Sequence, residues 1–400
     1  MPTFEPSSIT REATPSPDAN GVSAIHIVPV RTRKDLKTFI RLPWKIYADD
    51  PAWVPPLLVE RLRHLSSKHN PYFDQAEVQL WLALQDGEVV GRLSAQIDRR
   101  FLEKHDAHTG HIGFLEAVNS KDVFEALLAA AEEWLRSRNM RRSLGPFNFS
   151  VNDECGVLVE GFDDPPMLMM GHARPYYGSM LEQCGYQKAK DLIAYLITLS
   201  EGGIPPSVSR LVDRGKHDPK ITLRPLNWSA YEREMAIIAD IFNDAWSENW
   251  GFLPFAEKEI RHLAKEVRPL INSHSVCFAE FEGRPVAFAM ALPNLNEAIR
   301  DLDGRLFPFG WARLLYRLKL NRVSTVRVPL MGVRKEFQAT PLGAVFAYGT
   351  IENIYASHLE RGIKKSEMSW ILEDNTAMRN MIEAIGGRPY KVYRMYEKAL

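Results

Sequence analysis

The densest run of groups able to move protons in this 400-residue sequence is Asn148-Phe149-Ser150-Val151-Asn152-Asp153-Glu154-Cys155-Gly156, which closes a strand-like segment ahead of a Pro- and Met-rich loop at 163–170. Polar groups at the carboxyl ends of strands in open α/β sheets line ligand crevices. Glu154 is the candidate general base, because a carboxylate lining a crevice can take the proton that a nucleophile loses as it attacks. His172, followed by Tyr176 and Tyr177, is the candidate to share that work. A solvated turn with Asx hydrogen bonds and a structurally satisfied histidine account for the same residues. Cys155 reads as a packed thiol, as lone cysteines of this kind mostly are, the alternative being a nucleophile for covalent transfer. His105, His108 and His111 lack a fourth ligand at metal spacing, so no metal is expected.

A second concentration lies near the C-terminus. The apolar strand Val328-Pro329-Leu330-Met331-Gly332-Val333 is followed by Gln338-Ala339-Thr340-Pro341-Leu342-Gly343-Ala344. A glycine-containing turn that opens a helix presents unpaired N–H donors to an anion, with the helix dipole assisting, although Pro341 removes one donor. Further on, Asn375 can cap the helix at 376–385. Between these lie Asn243-Asp244-Ala245-Trp246-Ser247-Glu248-Asn249-Trp250-Gly251-Phe252, whose two tryptophans suggest either an aromatic acceptor wall or a staple between two helices. The segment 305–322 contains no acid; Arg313 and Arg317 share one helical face while Trp311, Leu314, Leu315 and Leu318 share another. That pattern suits an anionic membrane surface, donor phosphates, or a plain amphipathic cover.

The elements that position these groups recur in the same order twice. The first half reads as a strand at 25–31, a helical region at 35–65, a hairpin at 78–97 around Asp86-Gly87-Glu88, a strand at 111–117, a helix at 122–138, and strands near 143–149 and 192–199. A Gly-Gly and Pro-Pro stretch at 201–219 reads as a linker. The second half reads as a strand at 221–226, helices at 231–246 and 256–270, a hairpin at 276–292 around Glu282-Gly283, a strand at 326–333, a helix at 344–360, a strand at 367–372, a helix at 376–385 and a strand at 390–396. The fold class expected is α/β: two tandem domains, each a mixed, mostly antiparallel sheet flanked by helices, at 23–200 and 220–400, after a disordered tail at 1–22. Fifty basic residues against fifty acidic ones give no global field and do not suggest a nucleic-acid binder. Three scattered cysteines suggest a reducing compartment, and no apolar run reaches membrane-spanning length, so a cytoplasmic protein is expected.

The second half resembles the GNAT (acyl-CoA N-acyltransferase) superfamily. There the fourth strand runs into Arg/Gln-x-x-Gly-x-Gly/Ala, which cradles the coenzyme A pyrophosphate, and Gln338 to Ala344 matches except at Pro341. The segment 373–387 resembles the family's Asn-led helix and closing turn, with Ile382 where many members carry a tyrosine that protonates the departing thiolate. Residues 176–186 resemble the same closing helix in the first half, but Val118-Asn119-Ser120-Lys121-Asp122 has no phosphate-loop glycine.

What the resemblance implies is an acyl-CoA thioester as cosubstrate, held through Val333, Arg334, Gln338, Gly343, Ala344 and Asn375, and a first domain that is a degenerate copy shaping the acceptor site. A backbone N–H near Val333 or Arg334 would steady the oxyanion. The whole chain is similar to bacterial GNAT-type N-acyltransferases of ceramide synthesis, which implies a long-chain donor, a sphingoid or other lipid amine as acceptor, and peripheral contact with the inner face of the membrane through 305–322. Two alternatives stay open: a tRNA-dependent aminoacyl transferase of tandem-GNAT type, and a non-catalytic acyl-CoA sensor or scaffold.

Overall fold

A computed structural model describes residues 24–199, 203–320 and 323–400. The expected tail at 1–22 and the first linker residues lie outside the described residues. The first half comprises β1 (Ile25–Pro29), α1 (Arg33–Ile46), α2 (Leu58–His64), β2 (Ala76–Gln85), β3 (Glu88–Asp98), α3 (Arg99–Lys104), β4 (Thr109–Ala117), α4 (Lys121–Arg136), β5 (Arg142–Gly145), β6 (Val157–Glu160), α5 (Tyr177–Gln183) and β7 (Gln187–Thr198). The second half comprises α6 (Pro206–Lys216), β8 (Ile221–Pro225), α7 (Tyr231–Ala245), α8 (Glu257–Val267), β9 (Val276–Phe281), β10 (Arg284–Pro293), α9 (Leu295–Ile299), α10 (Gly310–Lys319), β11 (Thr325–Val333), α11 (Pro341–Glu360), β12 (Lys365–Leu372), α12 (Thr376–Ala384) and β13 (Arg388–Ala399).

Local chemistry sets these boundaries. Asp86 and Gly87 at φ 52° and 78°, and Glu282 and Gly283 at 51° and 79°, turn the two hairpins as the sequence predicts. Thr32 and Asp35 form a reciprocal capping box on α1. Thr340 caps α11 and Pro341 occupies its first turn, so that helix starts earlier than the 344–360 expected. The stretch read as a linker contains α6, because Pro206 falls at a helix start where its missing N–H costs nothing. Val208 and Val212 of α6 are buried, and Gly215 lies against Val345 of α11.

The halves are joined by an exchange of closing strands. All the strands form one sheet in the order β1-β2-β3-β4-β5-β13-β7-β12-β11-β10-β9-β8, with β6 also pairing β13. The last strand of the second half thus pairs antiparallel with β5 of the first, and the last strand of the first half with β12 of the second. At the centre β7 and β13 pair from Arg388↔Leu196 to Glu397↔Gln187. Each half satisfies an edge that the other would leave bare. In both halves the fourth and fifth strands are parallel only briefly, Thr109 to His111 against Arg142 to Leu144 and Thr325 to Val328 against Lys365 to Met368, and then diverge. Among the described residues no helix is long and apolar enough to cross a membrane.

Candidate active site between the two halves

The divergence of β11 and β12 opens a gap whose walls can be read from the hydrogen-bond alternation. The Arg334 N–H donates to the Val286 carbonyl at 2.9 Å, and Gly332 lies opposite Phe288 on β10. Alternate residues of a strand direct their backbone groups to opposite edges, so those of Met331 and Val333 face the gap. Their carbonyls are covered: Trp246 Nε1 donates to Met331 O and Gln338 Nε2 to Val333 O, each at 2.8 Å. The two N–H groups remain aimed into the opening. Trp246 and Trp370, with ring centroids 6.2 Å apart, stand at one face of the gap. On the other face, half-buried Val333, Tyr348, Ile371, Met378 and Met381 line an apolar slot between α11 and α12. An open strand edge beside apolar side chains can hold an extended, amide-bearing chain. At its outer end Gly343 is required, because a Cβ there would lie 2.0 Å from Phe337 O. The Gly343 N–H is taken by Thr340 Oγ1 at 3.0 Å and the Thr340 N–H by Phe337 O at 3.2 Å, which leaves Leu342 as the first-turn amide facing an anion.

The corresponding positions of the first half are plugged. Phe147 N–H donates to Ile112 O at 2.7 Å, Phe114 N–H to Asn148 Oδ1 at 2.7 Å, and a Cβ on Gly113 would lie 1.7 Å from Phe147 O. Ala117, the counterpart of Val333, has its N–H bonded to Tyr177 Oη at 3.1 Å and its carbonyl to Tyr176 Oη at 2.8 Å. The two tyrosine rings fill the groove between α4 and α5 against Phe124.

A buried polar cluster sits where β12 begins to diverge. Glu367 is fully buried, and Ser369 Oγ and Tyr390 Oη donate to its two carboxylate oxygens. Arg327 Nε lies 3.6 Å from Glu367 and donates to Ser369 Oγ at 2.7 Å, while its other nitrogens donate to Leu168 O at 2.9 Å and Ser369 O at 3.1 Å. The loop at 163–170 therefore lies over this cluster, held from outside by Asn296 Nδ2 donating to Pro166 O at 2.9 Å. Beside it, Lys391 Nζ donates to Asp164 O at 2.6 Å, and burial pulls its pKa down to about 8. The buried Tyr393 hydroxyl has no hydrogen-bond partner among the described residues. Burial, then the Glu367 charge, drives its pKa well above the ordinary tyrosine value, and Glu154 adds to the same field.

His172 and Tyr177 are joined through Tyr47 and Glu116 in the first half, while Glu154 belongs to a separate pair with Arg61 and Asn148. Asn148 Nδ2 and Arg61 donate to Glu154; burial works to raise its pKa, but the Arg61 charge outweighs this and holds it below the usual carboxylate range. Tyr177 and Tyr47 both donate to Glu116 at 2.7 Å, Tyr47 also to His172 O at 3.2 Å, and Arg92 lies 3.6 Å from Glu116. His172 contacts Asp50 at 2.9 Å, and burial lowers its pKa against that carboxylate's pull. Cys155 is buried, which raises its thiol pKa. Of the residues expected to hold the donor, Val333 lines the slot and Gln338, Gly343 and Ala344 build the turn. The Arg334 N–H is spent in the ladder, so it cannot steady an oxyanion, and the Arg334 side chain pairs with Asp240. Asn375 accepts from Met378 N–H at 3.1 Å and caps α12. Ile382, at the position of the usual acid, is fully buried. His105 and His108 contact the carbonyls of Phe252 and Asn139, and His111 lies between Phe101 and Phe147; no group of three or more potential metal ligands exists among the described residues.

Sequence reasoning missed Glu367, Ser369 and Arg327. The available signal was alternation in Lys365-Ser366-Glu367-Met368-Ser369-Trp370, which puts a charge and a hydroxyl on the same face of a buried strand.

Residues 43–151 match the Acetyltransferase (GNAT) family, a span within the first half. The chain is 46% identical over 368 residues to Protein YghO of Escherichia coli (strain K12), covering 92% of this chain and 94% of that one. It is 45% identical over 377 residues to the bacterial ceramide synthase of Caulobacter vibrioides (strain NA1000 / CB15N), covering 94% and 98%. Among solved structures, a tandem GNAT protein from the clavulanic acid biosynthesis pathway superposes with a TM-score of 0.55 at 13% identity, covering 94% of this chain and 98% of that one. A GCN5-related N-acetyltransferase from Sphaerobacter thermophilus gives 0.51 at 13% identity, with 94% and 95% covered.

Proposed function

This chain belongs to the GNAT family and is an N-acyltransferase, and we propose that it transfers a long-chain acyl group from acyl-CoA to a sphingoid or other lipid amine. The observation that carries the reading is the asymmetry of the halves: the β11 edge is open beside a buried carboxylate, whereas the equivalent β4 edge is stopped by Tyr176 and Tyr177. The second half binds the donor and the first shapes the acceptor site. The pantetheine arm lies between α11 and α12, and the N–H groups of Met331 and Val333 hold its amides and the thioester oxygen. The amine enters from the side of the 163–170 loop. Glu367 accepts the proton that the amine nitrogen loses as its bond to the acyl carbon forms. The carbon–sulfur bond then breaks, and water protonates the thiolate, since Ile382 has no proton to give. The orphaned Tyr393 hydroxyl suits a hydroxyl of the acceptor, and the Glu154–Arg61 pair and His172 position the walls around it.

The lipid acceptor is supported by the name of the Caulobacter relative and by bare aromatic side chains in the insertion at 305–320, which suit peripheral contact with the inner face of a membrane. The test is thiol release from acyl-CoAs of graded length with sphingoid bases, other lipid amines and soluble amines, with the amide product identified by mass spectrometry. Amide formed from long-chain donors and a sphingoid base is the expected result. Binding of acyl-CoA without any turnover would replace this reading with a sensor.

A further inference from the structure

We propose that the exposed face of α1 and the aromatic tip of the insertion before β11 form one docking surface for an anionic lipid bilayer. Among the described residues ten large hydrophobic side chains are exposed, and six of them, Phe307, Phe309, Trp311, Leu315, Tyr316 and Leu320, belong to this one insertion. Phe307 and Phe309 are 78% and 73% exposed on the turn that precedes α10. Among α10's residues none is buried. Its inner edge is held by Leu306 and Leu314 against Val54, Ile299 and Leu302. Such clustering exceeds the scattered apolar exposure of an ordinary surface and marks an interaction site.

Charge decides the occupant. Lys34, Lys37, Arg41 and Lys45 follow one another at helical spacing along α1 and line a groove with the Gly87-Glu88-Val89 turn. Lys45 pairs with Glu88 at 3.0 Å, whereas Lys34, Lys37 and Arg41 have no ion pair among the described residues. The insertion's own Arg313 and Arg317 are answered by Asp301 at 3.8 Å and 2.5 Å and Lys319 has no ion pair among the described residues, so most of the uncompensated charge of this face lies on α1. The two parts are continuous: Trp44 Nε1 of α1 donates to Asp303 Oδ1 at 2.6 Å, Arg41 lies 5.7 Å over the Trp44 ring, and Leu58 N–H donates to Gly304 O at 3.0 Å. A row of unpaired cations beside projecting phenylalanines matches an anionic headgroup layer over hydrocarbon. A protein interface core would instead be depleted of lysine. The α1 row reads headgroup charge, and Phe307 and Phe309 enter the apolar region. The Asn296 side chain links this insertion to the 163–170 loop over Glu367, so the surface lies next to the acceptor side of the proposed site. That last use rests on the function proposed above; the docking itself does not.

The test is co-sedimentation of the full chain with vesicles of phosphatidylcholine alone or mixed with phosphatidylglycerol. The native protein is expected to bind the mixed vesicles and to lose that binding in high salt. Lys34→Glu/Lys37→Glu/Arg41→Glu should weaken binding to mixed vesicles on the order of a hundredfold or more. Phe307→Ser/Phe309→Ser should weaken binding to the mixed vesicles on the order of a hundredfold or more. Both variants should keep the native rate with a soluble amine, which shows that they fold. Native protein that stays in the supernatant, or variants that bind as well as native, would overturn the proposal. So would lipid-free self-association abolished by the phenylalanine changes, because the face would then belong to a second copy. Vesicle binding without acylation of any lipid amine would remove the proposed function and leave the docking surface standing.

Discussion

Glu367→Gln separates chemistry from folding in the proposed site. The substitution keeps the shape and an acceptor for one of Ser369 and Tyr390, turns an amide N–H toward the other hydroxyl, removes the proton acceptor, and leaves Arg327 without its countercharge 3.6 Å away. Loss of a general base slows turnover about 10²–10⁴-fold, equivalent to roughly 3–5 kcal/mol in the barrier. The unpaired buried guanidinium carries its own cost, up to about 3–5 kcal/mol of stability if nothing relaxes. Arg327 still donates to Ser369 and to the Leu168 and Ser369 carbonyls, so the loss should fall in the lower part of that range. Single-turnover amide formation measured below the melting transition isolates the chemical step, while chemical denaturation reports stability. The double change Glu367→Gln/Arg327→Met removes both charges and should recover most of the stability and none of the rate. Acyl-CoA affinity should stay within about threefold of native, because the slot lies on the opposite face of the sheet. Glu154→Gln is the contrasting control: its carboxylate is committed to Arg61, so stability should fall while the rate falls less than about tenfold. The reasoning fails if folded Glu367→Gln turns over within about tenfold of native, or if Glu154→Gln is the slower enzyme.

Three further outcomes follow from the same geometry. Titration calorimetry should give one coenzyme A per chain, since Tyr176 and Tyr177 occupy the first half's groove; two equivalent sites would refute the plugged reading. Gly343→Ala would place a Cβ 2.0 Å from Phe337 O, so acyl-CoA affinity should drop at least tenfold by calorimetry with little change elsewhere in the fold. His111 is buried with both ring nitrogens unpartnered among the described residues, and burial lowers its pKa from 6.5 to about 3. Above the unfolded value both states are neutral and nothing is lost; as pH falls below 6.5 the unfolded chain takes up a proton that the native chain refuses. Stability should therefore drop by about 1.4 kcal/mol per pH unit from this residue, down toward pH 3. His111→Phe, between Phe101 and Phe147, should flatten that dependence in denaturation curves; an unchanged slope would show that His111 is not its source.

The elements were legible wherever a local rule acts alone. Asp86-Gly87 and Glu282-Gly283 announce their hairpins, whereas the helix α11, expected from 344, starts at Pro341 behind the Thr340 cap. The exchange of β7 and β13 was not legible, because a period of two says that a segment is a strand and is silent on whose edge it joins. The site divides in the same way. The turn that carries Gln338 and Gly343 was legible because a turn before a helix is a contiguous motif, while the commitment of the Arg334 N–H to the strand ladder was not. Glu367 was missed because its partners, Arg327, Ser369 and Tyr390, come from three strands and only the fold assembles them. The polar run around Glu154 drew attention for its density in sequence, and the structure spends much of it on holding the first half closed: Asn148 bonds Phe114 and Glu154 bonds Arg61. Tyr177 was read as a group for proton transfer, and the structure places it as a stopper.

That stopper gives the closed half a reason to exist. A second open edge beside β4 would offer a competing place for the donor of the proposed reaction, and Tyr176 and Tyr177 occupy it. Filled with its own tyrosines, the first half offers no second groove, and under the proposed function it serves as the wall of the acceptor side. Leu168 fixes Arg327, Asp164 fixes Lys391, and both come from the loop that leads out of β6. The pairing of β6 and β7 with β13 ties that loop's flanks to the second half through the sheet itself, not through a side-chain interface that could open. A carboxylate meant to receive a proton from an amine gains most when the groups around it do not reorganise as charge moves. Strand exchange supplies that fixity: the wall over Glu367 belongs to one half of the sequence and, by hydrogen bonding, to the sheet of the other.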